Sequence, residues 1–200
     1  MSHNLSINPI PFPKDVKGLI FDLDGTLAHT MPLHYRAWQK VSRERGFVFE
    51  EELFYLWAGI PTLEVIGKIN ELHGYQLDPI TIQKDKERCF LELMDEIGPI
   101  GPAVAVVKEQ YGLLPMAIGT GSKREFALKT LNILGLAPYF EAVVCADDVQ
   151  NHKPHPETFL LCAKLINIPP EDCVVFEDGD PGIQAAHAAG MRVVDVRPFL

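Results

Sequence analysis

A chain of 200 residues is long enough for one well-buried core with an appendage and short for two independent domains. Its 18 Lys and Arg against 27 Asp and Glu give a net charge of -9 with no basic run, which argues against nucleic acid and anionic membrane as partners. A small anionic substrate stays open, because a bound divalent cation inverts the local charge of an acidic site.

The first 15 residues hold Pro9, Pro11 and Pro13 but lack the basic and apolar regions of a secretory signal, and no run of 18 apolar residues is present to span a membrane. Cys89, Cys145, Cys162 and Cys173 are scattered without a CxxC pair, as reduced thiols of a cytoplasmic protein are. In chain order, short apolar runs rich in Val and Ile stand at Lys17–Phe21, Met116–Gly119, Ala142–Cys145, Cys173–Phe176 and Arg192–Val196. Continuous apolar strands separated by helical patterns predict a doubly wound (Rossmann-like) parallel α/β core. Between the first two strands, helical patterns at Leu33–Arg45, Thr62–His73 and Ile80–Glu96 without a buried strand predict an inserted α-helical domain. The expected division is 1–30 with 97–200 as core and 31–96 as insertion. Ser122-Lys123-Arg124-Glu125 has the form of a capping box with Gly135 as the helix stop, and Asp180-Pro181 resembles an N-cap with Pro at the first helical position and Gly190 past the end.

Four polar pieces fall at or just after predicted strand ends, where open parallel sheets bind ligands. In Asp22-Leu23-Asp24-Gly25-Thr26, two carboxylates two residues apart can converge as the chain bends at Gly25, one to attack phosphorus and one to handle a proton; the bland alternative is a solvated Asp-Gly turn. Gly119-Thr120-Gly121-Ser122 opens a helix whose N-terminus favours a phosphate, with Thr120 as a further donor, although the turn can be a plain connection and Ser122 a plain cap. Lys153, in the loop Asn151–Pro156, offers an ammonium against phosphate and nucleophile, or else is a solvated surface lysine; His152 and His155 read as loop residues. In Glu177-Asp178-Gly179-Asp180, carboxylates suit Mg²⁺; with Asp180 spent on the helix cap, Asp178 is the first choice of ligand and Glu177 the second.

Taken in order, Asp22-x-Asp24-Gly25-Thr26, the Thr120 strand end, Lys153-Pro154 and Glu177-Asp178-x-x-x-Gly182-Ile183-x-Ala185-Ala186 resemble the four motifs of the haloacid dehalogenase superfamily over nearly the whole chain, and within it the β-phosphoglucomutase-like branch with its fructose-1-phosphatase-type members. The resemblance implies Asp22 as nucleophile, Asp24 as acid then base, Thr120, Gly121 and Lys153 as phosphate binders, and Asp22, the Asp24 carbonyl and Asp178 as ligands of Mg²⁺. It also implies that the insertion is a cap, with His34 (in the pattern His34-x-x-Ala37-Trp38) and Gly59 as candidates for substrate contact. Four positions depart from the family pattern: His29 replaces Asp, Gly179 replaces the commoner Ser, and Ala58 and Thr62 stand where mutases of the branch carry Lys and Arg. The loss of two cap cations favours hydrolysis over mutase chemistry.

The expected protein is therefore a Mg²⁺-dependent phosphatase of a small sugar (hexose) monophosphate, working through an aspartyl-phosphate, as a monomer or weak homodimer. The alternatives are a β-phosphoglucomutase-type mutase and a non-catalytic binder of phosphorylated metabolites. The binder has no need of both Asp22 and Asp24.

Overall fold

The computed structural model describes residues 9–58 and 60–200. The chain groups into two compact units: one runs to His29 and resumes over Gly98–Leu200, the other is Thr30–Ile97.

In the first unit, β1 (Gly18–Phe21) is fully buried and leads to Asp22. The second unit holds α1 (Met31–Arg45), α2 (Glu51–Leu56), α3 (Thr62–His73) and α4 (Pro79–Leu91). The first unit then continues through α5 (Gly101–Gln110), β2 (Met116–Gly119), α6 (Arg124–Ile133), β3 (Ala142–Val144), α7 (Glu157–Leu165), β4 (Cys173–Glu177), α8 (Asp180–Ala188) and β5 (Arg192–Asp195). The five strands form one parallel sheet in the order β3-β2-β1-β4-β5. The sheet is the expected doubly wound type, with β1 at its centre and the strand order proceeding outward from it on both sides, so the carboxyl ends of β1, β2 and β4 flank one crevice.

The central strands are buried on both faces, and their side chains alternate between the two. Ile20, Ala117, Val144 and Val175 join Phe159, Cys162 and Ala163 of α7 and Ala185 and Ala186 of α8 in one cluster. The residues between them aim the other way: Phe21 stacks on Phe176 with ring centroids 4.5 Å apart, and Phe12 and Phe140 close edge-on against that pair. Gly119 has a packing reason, since a Cβ there would lie 3.0 Å from Cys162 Sγ and the Phe159 ring; its absence lets α7 press against β2.

In the second unit α1 and α4 lie side by side, buried through Leu33, Ala37, Trp38, Val41, Ile82, Cys89 and Phe90. Asp78 caps α4 by accepting from Thr81 N, with Pro79 opening the helix. Ion pairs cross between the helices and the turn after α4: Arg36–Glu96, Lys40–Glu92, Arg45–Asp85 and Glu44–Arg88. The insertion begins and ends at one place on the core, because Ala28 and Pro99 form an antiparallel bridge and His29 N–H donates to Gly98 O at 2.9 Å.

Several local expectations change. Lys17 precedes β1 and pairs with Asp172, Cys145 and Val196 lie beyond their strands, and Glu177 is the last residue of β4. The Ile80–Glu96 pattern breaks into α4 and a separate single turn at Met94–Glu96. Three helices had no place in the sequence expectation: α2, too short to show a period; α5, whose opening Gly101-Pro102 reads as a breaker although Pro is tolerated in a first helical turn; and α7, hidden behind a polar loop.

Neither proposed helix cap is used. α6 starts at Arg124, whose N–H is taken by Asp147 Oδ2 at 2.6 Å, so a carboxylate from beyond β3 does what Ser122 was expected to do. Asp180 lies inside the first turn of α8 and accepts from Arg197 Nη1 at 2.8 Å, rather than capping the helix.

Candidate active site

Asp22 is the first residue past β1, and its N–H donates to Phe176 O of β4 at 3.0 Å, so the carboxylate stands over the centre of the sheet. It is 6 % exposed. Lys153, from the loop between β3 and α7, donates from Nζ to Asp22 Oδ1 at 2.7 Å and to Glu177 Oε1 at 2.8 Å. Its ammonium also lies 4.6 Å from the centre of the Phe159 ring. With its side chain 10 % exposed, Lys153 is not the solvated lysine that its polar loop permits.

Two glycines make room for the carboxylates. Gly25 has φ of +91°, which disfavours any side chain, and a Cβ there would fall 2.1 Å from Asp178 Oδ2. A Cβ on Gly182, in α8, would fall 1.7 Å from Glu177 Oε1. Asp178 is further fixed by Thr26, whose hydroxyl donates to its Oδ1 at 2.8 Å. Glu177 bridges Lys153 on one oxygen and Gly179 N–H at 2.6 Å on the other.

Asp22, Glu177 and Asp178 each present a carboxylate oxygen, all within 4.8 Å of one another. Burial is the main cause of a strongly raised Asp22 pKa; the Lys153 charge opposes it, and Glu177, Asp178 and Asp24 add to it. Asp178 is pushed up to about 7 by burial and then by Glu177, against the Thr26 hydrogen bond. For Lys153 burial is the largest influence and pulls downward, yet Asp22 and Glu177 together hold it above its ordinary value. One ammonium thus stands against two buried carboxylates, with the half-buried Asp178 as a third acid in the same cluster. A divalent cation fits this set, because hard oxygen donors match it and its charge favours the ionised acids that burial alone opposes.

The Asp24 side chain is engaged elsewhere. Its Oδ2 accepts from Ser122 Oγ at 2.6 Å and, at a long 3.4 Å, from Thr120 Oγ1. Thr120 is buried at the end of β2, where its N–H donates to Val144 O and its hydroxyl accepts from Ser122 N at 3.0 Å. Gly121 beside it is exposed, with open space where a Cβ would stand.

Other singled-out residues lie elsewhere. His34 stacks on Phe90 of α4 at 3.8 Å, with Lys86 Nζ 3.0 Å from its Nδ1, so within its unit it is a helix-packing residue. Gly59 lies outside the described residues. His29 is exposed, and its backbone continues to the Gly98 hydrogen bond. The Gly179 departure has a simple consequence: a Cβ there would make only ordinary contacts, at 3.5 Å from Glu177 Oε2 and 3.8 Å from Pro181 Cδ, so Ser and Gly fit alike. Sequence reasoning missed the contacts of Thr26 and Ser122 and the space at Gly182; Gly182 and Thr26 were visible in the motifs, but their partners are distant in sequence.

The site thus sets paired aspartates past the central strand of a five-stranded parallel sheet beside a buried lysine and an acidic pair at the end of the neighbouring strand. The chain belongs to the haloacid dehalogenase-like hydrolase family, which it matches over residues 16–190. It is 47% identical over 181 residues to the fructose-1-phosphate phosphatase YqaB of Escherichia coli K12, covering 90% of this chain and 96% of that one. It is 33% identical to the phosphorylated carbohydrates phosphatase of Thermotoga maritima, covering 88% and 83% of the two chains. Among solved structures, β-phosphoglucomutase of Clostridium difficile superposes with a TM-score of 0.80 at 28% identity, over 90% of this chain and 84% of that one.

Proposed function

We propose that this protein is a Mg²⁺-dependent phosphatase of small sugar monophosphates, of the hexose 1-phosphate kind, and that it works through an aspartyl-phosphate on Asp22. The observation that carries this is the meeting of Asp22, Lys153, Glu177 and Asp178 at one point, with the Asp24 carboxylate turned to a separate hydroxyl pair. Mg²⁺ bound by Asp22, the Asp24 carbonyl and Asp178, with Glu177 as a further candidate, would offset charge on the phosphoryl group.

Asp22 attacks phosphorus while Lys153 and Thr120 hold phosphoryl oxygens. Asp24 protonates the departing sugar oxygen, then takes a proton from the water that cleaves the acyl-phosphate. Residues 31–96 select the substrate, with His34 and Gly59 as candidate contacts. Ala58 and Thr62 bring no charge for a second phosphate, which favours water over a sugar hydroxyl as acceptor. Four buried free thiols accord with a reducing compartment, and we place the protein in the cytoplasm as a monomer or weak homodimer.

Free phosphate released from fructose 1-phosphate with Mg²⁺, lost on chelation and lowered by at least about 10³-fold in Asp22→Asn, is the expected outcome. Isomerised monophosphate in excess of free phosphate, with a bisphosphate primer present, would establish a mutase instead. Absence of turnover on any phosphoester would leave a binding protein.

A further inference from the structure

Ser122 reads in sequence as the first residue of a capping box, yet the helix it would cap takes its hydrogen bond from elsewhere. α6 begins at Arg124, Lys123 at the cap position makes no side-chain cap bond, and Asp147 Oδ2 accepts from Arg124 N at 2.6 Å. The Ser122 hydroxyl is thereby released from local structure, and it donates to Asp24 Oδ2 at 2.6 Å.

The backbone around it is fixed from two sides. Ser122 N–H donates to Thr120 Oγ1 at 3.0 Å, and Ser122 O accepts from Ala146 N–H, past the end of β3, at 3.0 Å. Thr120 itself is 1 % exposed, so the loop rests on a buried anchor. Of the two hydroxyls that face Asp24 Oδ2, Thr120 stands at 3.4 Å, beyond the usual range for O–H···O, and Ser122 is well inside it.

We infer that Ser122 is a positioning residue that sets the orientation of the Asp24 carboxyl for proton transfer, an inference that rests on the proposed phosphatase chemistry. An O–H donated into Oδ2 at this distance fixes the plane in which the Asp24 carboxyl lies. In the first step the O–H bond of the Asp24 carboxyl breaks as the ester oxygen takes the proton and the electron pair of the breaking P–O bond, while an Asp22 oxygen forms the new bond to phosphorus. In the second step the same carboxylate takes a proton from water as the water oxygen attacks phosphorus and Asp22 departs. A misdirected acid is most costly when the leaving oxygen is basic, as in a sugar, and least costly for an aryl oxygen that leaves without a proton.

The test compares wild type, Ser122→Ala and Ser122→Thr on fructose 1-phosphate and on p-nitrophenyl phosphate, reading kcat, KM and the rate of the aryl-phosphate burst. The expected result for Ser122→Ala is a fall in kcat on the sugar phosphate of about 10- to 100-fold with KM within about twofold, a burst rate within about threefold of wild type, and recovery in Ser122→Thr. An unchanged sugar-phosphate kcat, equal losses in that kcat and in the burst rate, or no recovery with Thr would overturn the role. A crystal structure of Ser122→Ala gives a readout independent of turnover: a rotated Asp24 carboxyl is expected, and an unmoved one overturns the proposal. An inactive wild type would instead remove the phosphatase assignment, while the Asp24 rotation still decides whether Ser122 holds that carboxyl.

Discussion

The two units of the chain use charge in opposite ways. In the sheet unit, Asp22, Glu177 and Lys153 are at most a tenth exposed at the side chain, and each depends on the others for compensation. In the helical unit, Arg36, Lys40, Glu92, Glu96, Glu44 and Arg88 also pair, but every one of these side chains is two-fifths exposed or more. Exposed pairs are each worth at most about 1 kcal/mol, whereas one partner removed from a buried set leaves a charge with nowhere to go. The buried charge of the first unit is therefore held at the expense of stability. In the second unit charge decorates a helix pair that Trp38, Val41, Ile82 and Phe90 already hold together.

The sharpest way to break this contrast is Lys153→Ala. It is expected to lower kcat by at least about 100-fold and, at pH 8 without metal, to destabilise the fold by about 3–5 kcal/mol, measured by turnover and urea unfolding. Gly182→Ala comes next: its new Cβ needs the space of the Glu177 carboxylate, so about 3 kcal/mol of stability and most of the activity should be lost, as the same two measurements would show. Ala at this helical position gains in helix propensity, so retained stability would mean that Glu177 has another place to go.

Acidity tests the buried set further. The Asp178 carboxyl is raised from 3.8 to about 7, so its contribution in the metal-free protein is fully present below about pH 3.8 and is lost as pH rises through about 7. Mg²⁺ requires the ionised form, so at large excess it should stabilise by about 2 kcal/mol more at pH 8 than at pH 5, seen as the rise in Tm on adding Mg²⁺ at each pH. An equal rise at both would exclude Asp178 as a ligand. The smallest effect belongs to the helical unit: Arg36→Ala or Lys40→Ala should change stability by less than about 1 kcal/mol, and 1 M NaCl should reduce even that, by urea unfolding with and without salt.

The sheet was legible because its strands are continuous apolar runs, Asp22 and Asp178 because they stand just past those runs, and Lys153 because it sits in the Pro-bracketed polar loop that follows one. What escaped the sequence depends on partners far along the chain. Ser122-x-x-Glu125 satisfies the local rule for a cap, but Asp147 outcompetes it from a different loop. Asp180 likewise answers to Arg197 rather than to its own helix. Gly182 looks like an ordinary helix glycine until the carboxylate five residues earlier is seen in the space of its missing side chain. Glu177, ranked only as a second metal ligand, joins Lys153 to the backbone of Gly179, a link that composition and spacing do not reveal.

The bridge between Ala28 and Pro99 has a consequence for how such proteins diversify. The chain leaves the core and returns to it through one paired pair of residues, with the 68 residues of Thr30–Ile97 between them. A segment of different length or sequence spliced between Ala28 and Pro99 would therefore meet the core at the same paired bridge.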